Sequence, residues 1–286
     1  MLRTEPQSGV GTAEDRGTQL YLDLLKRSLV GMLSGHELQT VVPSVEWKRR
    51  AVRLASRLLA RRGIELVRAM PYDLDKREQG LDWPLHAVSM IGLRRMDNLE
   101  HLIRDVLRRG VPGDLIETGV WRGGATILMR AVLKAHGDTE RSVWVADSFQ
   151  GLPRPDAETY PVDAGDPHHT FDNLVVSLEE VRRNFERYGL LDEQVRFLPG
   201  WFRDTLPEAP ISKLAVLRLD GDMYESTMVA LRALYPRVSP GGWVIVDDYA
   251  LKGCRAAVHD FLDEIGMHPA DLQTVDWTGV YWQRSV

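Results

Sequence analysis

Cysteine is almost absent: Cys254 is the only one, so no disulfide can close within the chain, and neither a cysteine zinc site nor a redox pair can be assembled from it. Long apolar runs are missing too. None approaches the ~20 residues that a membrane helix needs, and the leading MLRTEPQSGVGTAEDRGTQ lacks the apolar stretch of a signal peptide; export and membrane association are therefore not expected, and the cytoplasm is the expected compartment. Basic charge is not in excess, since 36 Lys and Arg stand against 41 Asp and Glu for a net charge of -5. That is the reverse of a nucleic-acid binder's footprint, and no nucleic-acid partner is expected. No two of the eight histidines have the i, i+4 spacing of a metalloprotease helix. With 24 Gly and 15 Pro in 286 residues, neither a fibrous nor a low-complexity chain is indicated.

What remains is an ordinary globular composition, 44% apolar, long enough to bury a core. Residues 1–17 are polar and read as a disordered leader. Across 18–110 apolar residues recur every three or four positions, as in Leu22, Leu25, Leu29 and Leu99, Leu102, Val106, which predicts a helical cap or lid region. Within it, the run from Trp47 to Arg62 is a basic amphipathic helix, read as a solvated basic face over an apolar stripe on the core. From 111 to 286 the texture changes. Short apolar runs at 114–120, 142–148, 194–199, 214–220 and 242–248 alternate with helical patterns at 125–136, 174–188, 226–235 and 254–265. Such alternation predicts an α/β, doubly wound parallel sheet, and two last runs, 271–276 and 279–283, read as a closing antiparallel pair.

Chemistry concentrates where those strands end, which is where open α/β sheets bind ligands. The first ends in Glu117-Thr-Gly119-Val-Trp-Arg-Gly-Gly124, a glycine turn whose acidic lead disfavours a pyrophosphate and suits a cationic ligand. The second ends at Asp147, placed to take the two hydroxyls of a ribose. Trp201 and Phe202 follow the third strand and offer a face for an adenine ring. An adenosine-bearing cation is indicated, S-adenosylmethionine being the usual one. The fourth and fifth strands end in Asp220-Gly-Asp222 and Asp247-Asp248. Carboxylates converging on one rim repel one another unless protons or a cation intervene, and an all-oxygen donor set favours Mg²⁺, Mn²⁺ or Ca²⁺ over zinc. His86 and His259 are candidate general bases at that rim, and 156–172, which breaks the alternation, reads as a mobile substrate loop.

These motifs resemble the macrocin and mycinamicin type sugar O-methyltransferases. The likeness is carried by Leu20-Tyr-Leu-Asp-Leu-Leu-Lys-Arg27, Met90-Ile-Gly92, Pro112-Gly-Asp-Leu-Ile-Glu-Thr-Gly-Val-Trp-Arg-Gly-Gly-Ala125, Ala146-Asp-Ser-Phe-Gln-Gly-Leu-Pro153, Leu198-Pro-Gly-Trp-Phe202, Leu219-Asp-Gly-Asp222 and Asp247-Asp-Tyr249. It implies a Rossmann-like class I methyltransferase fold, with a seven-stranded, mostly parallel sheet and an antiparallel last strand. It further implies methyl transfer from S-adenosylmethionine to a deoxysugar hydroxyl of a natural-product glycoside in antibiotic biosynthesis, Mg²⁺ dependence, and a homo-oligomer, dimer or larger. Carried over residue by residue, it places the metal on Asp220, Asp247 and Asp248, with Asp220 also the base. The cofactor falls on Met90, Ile91, Glu117, Gly119, Thr126, Asp147, Ser148 and Trp201. The segment from about His36 to Met70 departs from the family pattern in being longer and more basic. Two other readings fit the same residues: a metal-dependent methyltransferase of catechol-like phenols, and an idle scaffold that keeps the fold.

Overall fold

The computed structural model describes residues 13–33, 37–41, 46–70 and 73–285. Its elements run α1 (Ala13–Leu29), β1 (Glu37–Thr40), α2 (Glu46–Ala60), β2 (Val67–Met70), α3 (Leu74–Gln79), α4 (Gly92–Arg109), β3 (Asp114–Thr118), α5 (Gly124–Ala135) and β4 (Val143–Asp147). They continue with α6 (Leu178–Arg187), β5 (Val195–Pro199), α7 (Phe202–Thr205), β6 (Leu214–Leu219), α8 (Tyr224–Leu234), β7 (Val238–Val246), α9 (Lys252–Glu264), β8 (Gln273–Thr274) and β9 (Val280–Gln283).

Seven strands form one sheet in the order β5-β4-β3-β6-β7-β9-β8. The β5 to β7 strands pair in parallel, while β9 runs antiparallel to both β7 and β8. This is the doubly wound sheet with an antiparallel closing strand that the alternating texture predicts. Strands buried on both faces read as continuous apolar runs, and β6 is buried along its whole length. Alternate residues serve opposite layers: Leu115, Val145 and Val216 pack with α1, α4, α5 and α6, whereas Ile116, Ala146 and Leu217 pack with α8 and α9.

The amino-terminal third differs from the expectation in three ways. The first helix begins at Ala13, inside the segment read as a leader, and residues 1–12 lie outside the described ones. A pair of antiparallel strands, β1 and β2, flanks α2. Their sequences, Glu-Leu-Gln-Thr and Val-Arg-Ala-Met, are too short and polar to announce themselves. Finally, α2 does not lay its stripe on the core, since Trp47, Leu54 and Leu58 are 66%, 63% and 52% exposed.

Candidate active site

The strands β3, β4, β6 and β7 deliver their carboxyl ends to one cavity, and each strand end brings an acid. Glu117, Asp147, Asp220, Asp222, Asp247 and Asp248 all line it, with Met90, Ile91, Gly119, Ser148 and Trp201. The turn after β3 needs glycine at position 119, where φ is +85° and an added Cβ would lie 1.7 Å from the Asp220 carbonyl oxygen. Trp121, Phe149 and Asp222 also adopt left-handed backbone conformations. They follow β3, β4 and β6, so the strain gathers at the strand ends.

Register sets the electrostatics of the floor. Arg218 lies opposite Glu117 across β3 and β6 and next to β7, and its guanidinium donates to Glu117, to Asp247 and, at 2.8 Å, to Asp220 Oδ2. Burial opposes its charge, but the carboxylates of Asp247 and Glu117 outweigh that and hold its pKa well above the ordinary value. A second cation arrives from α4: Arg95 donates to Asp247 and, at 3.0 Å, to Asp276. Asp248 Oδ2 accepts the Asp222 amide at 3.1 Å.

Two guanidiniums do not neutralise the acids on this floor. Burial and the neighbouring Asp247 charge raise the pKa of Asp220; burial and Asp222 raise that of Asp248 well above its ordinary value. Burial and Asp220 push Asp222 up to about 7. Glu117, fully buried, is pushed up to about 8, and its Oε2 has no hydrogen-bond partner. Carboxylates crowded together in a cleft repel one another unless protons or a cation intervene. One oxygen each of Asp220, Asp247 and Asp248 lie within 4.8 Å of one another, close enough to share an ion, and the all-oxygen set suits a hard divalent cation. The unpartnered Glu117 oxygen likewise suits a cationic ligand over the Gly119 turn. Asp147 is committed in part: its carboxylate accepts the Val120 and Phe149 amides at 2.8 and 2.7 Å, while burial raises its pKa.

Other expected residues fall elsewhere. Thr126 is fully buried, donates its hydroxyl to the Gly123 carbonyl at 2.9 Å and does not line the cavity. His86 is exposed, and His259 bonds the Tyr249 hydroxyl at 2.6 Å; neither lines the cavity. The segment 156–172 is fastened rather than loose, because buried Asp163 accepts the Tyr224 and Glu225 amides at the start of α8. The segment does reach the cavity, through His168, as a substrate loop would; sequence reasoning overlooked Arg95 and Arg218, in and beneath the cavity.

Comparison with known proteins identifies the family. The family model described as Macrocin-O-methyltransferase (TylF) matches residues 18–284. The mycinamicin III 3''-O-methyltransferase of Micromonospora griseorubida is 46% identical over 272 residues, covering 94% of this chain and 98% of that protein. A tetracenomycin-glycoside enzyme of Streptomyces olivaceus, 8-demethyl-8-(2,3-dimethoxy-alpha-L-rhamnosyl)-tetracenomycin-C 4'-O-methyltransferase, is 58% identical over 74% of this chain and 82% of its own length. Among solved structures, the O-methyltransferase NovP superposes with a TM-score of 0.79 at 47% identity, covering 94% of this chain and all of that one.

Proposed function

The chain belongs to the macrocin-O-methyltransferase (TylF) family, and from that premise we propose that this O-methyltransferase moves a methyl group from S-adenosylmethionine to a deoxysugar hydroxyl of a natural-product glycoside. The observation that carries the reading is the convergence of Asp220, Asp247 and Asp248 beside the glycine turn. The cofactor's place is along Met90, Ile91, Glu117, Gly119, Asp147, Ser148 and Trp201, with the unpartnered Glu117 oxygen suited to positive charge and Trp201 to an aromatic ring.

An alcohol is a poor nucleophile near neutral pH, and the residues around Asp220 address that. A divalent cation such as Mg²⁺ held by Asp220, Asp247 and Asp248 would supply Lewis acidity that lowers the pKa of an alcohol. Asp220 is the base: its Oδ2 is taken by Arg218, while Oδ1 has no hydrogen-bond partner among the described residues, and its side chain is 25% exposed toward the cavity. Arg218 and Arg95 each donate to Asp247 and so fix where its carboxylate points. A catechol-like phenol could meet the same rim, but the two relatives named above carry glycoside acceptors in their names, which supports a sugar.

The test is incubation of the purified protein with S-adenosylmethionine, Mg²⁺ and either mycinamicin III or the rhamnosyl tetracenomycin, read by mass spectrometry. Addition of one methyl to the sugar, abolished by excess EDTA and restored by Mg²⁺, is expected. No methylated sugar, or full turnover in EDTA, would contradict the reading.

A further inference from the structure

The segment between β4 and α6 presents a histidine to the cavity from a fixed mount. Asp163 pins it to the start of α8 through the Tyr224 and Glu225 amides, at 2.8 and 3.1 Å. Three residues on, Asp166 accepts the His168 backbone amide at 2.8 Å, and its two oxygens stand 2.9 and 3.0 Å from His168 Nδ1. Phe171 meets the imidazole edge-on with centroids 5.3 Å apart, and Trp83 in turn meets Phe171 at 6.0 Å. His168 lines the same cavity as Asp220 and Asp222.

A carboxylate on Nδ1 fixes the proton of a neutral imidazole there and leaves Nε2 with an unshared pair. That nitrogen has no partner among the described residues. The ring is thus oriented by Asp166 and met at its edge by Phe171, while its far nitrogen stays unpartnered among the described residues on a side chain that lines the cavity. A sugar ring offers several hydroxyls of nearly equal intrinsic reactivity, so a base and a metal at one point do not by themselves decide which is methylated. A second, fixed acceptor lining the same cavity does.

We propose that His168, oriented by Asp166, accepts a hydrogen bond through Nε2 from a second hydroxyl of the acceptor sugar and so selects the hydroxyl that reaches Asp220. The inference rests on the sugar-methylation reading above. It makes His168 a specificity residue that touches substrate, with Asp166 acting through it.

Three variants separate this role from a structural one. In His168→Gln the side-chain amide reaches to the position of Nε2; in His168→Asn it reaches only to that of Nδ1, toward Asp166; His168→Leu has neither. Each is assayed on whichever of mycinamicin III and the rhamnosyl tetracenomycin the wild type methylates. For H168L the expected result is an acceptor KM raised about ten-fold, the effect of one hydrogen bond, with the KM for S-adenosylmethionine and the melting temperature unchanged and the product a mixture of regioisomers. H168Q restores the acceptor KM and the single product; H168N does not. Rescue by H168N in preference to H168Q, or unchanged acceptor KM and regiochemistry in H168L, overturns the inference while leaving the functional reading intact. A wild type that methylates neither glycoside overturns the functional reading and this inference with it.

Discussion

Helices α2 and α4 have similar sequence texture and opposite fates. Each carries five basic residues on an amphipathic pattern, Lys48, Arg49, Arg50, Arg53 and Arg57 in one and Arg94, Arg95, Arg104, Arg108 and Arg109 in the other. In α4 the stripe of Met96, Leu99, Leu102, Ile103 and Val106 is buried, and the helix hands Arg95 to the acidic floor. In α2 the apolar side chains Trp47, Leu54 and Leu58 stay exposed. The difference is readable in the acids: α4 interleaves Glu100 and Asp105, which pair with Arg104 at 3.2 Å and Arg108 at 2.8 Å, whereas α2 has only Glu46, at its first position. Periodicity alone says that a helix has an apolar face; it does not say what covers that face.

The contrast can be broken at either helix. Arg95→Ala on α4 removes a buried partner of Asp247 and Asp276, so we expect a loss of about 3–5 kcal/mol in metal-free protein, together with turnover. Unchanged stability and activity would mean that α4 does not feed the site. Leu102→Ala should cost about 3 kcal/mol through its cavity, measured by urea denaturation, with the remaining folded enzyme active.

A smaller effect tests the floor that α4 serves. Glu117 is pushed from its ordinary 4.5 to about 8 by burial, so the folded state binds its proton more tightly than the unfolded chain. The stability this contributes is present in full below about 4.5 and is lost as pH rises through about 8. Asp222, pushed up to about 7, acts in the same direction. The unfolding free energy of EDTA-treated protein, read by urea denaturation, should therefore fall from pH 5 to pH 8, by no more than about 1.4 kcal/mol per pH unit from one site, and Glu117→Gln should flatten the upper part of that fall. A rise instead would contradict the buried-acid floor. Least of all, Leu54→Ser and Leu58→Ser on α2 should each shift stability by only about 0.5 kcal/mol; a loss matching that of Leu102→Ala would show α2 to be a core helix after all.

The sheet was legible because its strands are short apolar runs separated by helical patterns, and the acids were legible because they close those runs. Arg218 was not: a lone arginine within Leu-Ala-Val-Leu-Arg-Leu signals nothing until register sets it opposite Glu117 and beside Asp247. Arg95 was hidden among the basic residues of α4, one of which happens to face inward. Asp163 and the Asp166–His168 pair lie in a stretch without regular periodicity, where the folded position of α8 shows what the Asp163 carboxylate meets and the local turn shows what Asp166 meets. Thr126 shows the reverse case, a hydroxyl near the glycine turn that donates to the Gly123 carbonyl instead of facing the cavity. Sequence pattern finds residues that end regular elements; it misses those whose partners come from distant ones.

All of this rests on the aspartates sharing a metal. Isothermal titration of Mn²⁺ into EDTA-stripped wild type, beside Asp248→Asn, settles it, since the Asp248 carboxylate accepts a single hydrogen bond among the described residues, from the Asp222 amide, and its replacement should spare the fold. A single saturable site per chain in the wild type and its loss in D248N, with unchanged melting temperature, is the expected result. Equal binding by both proteins, or none by the wild type, would refute it.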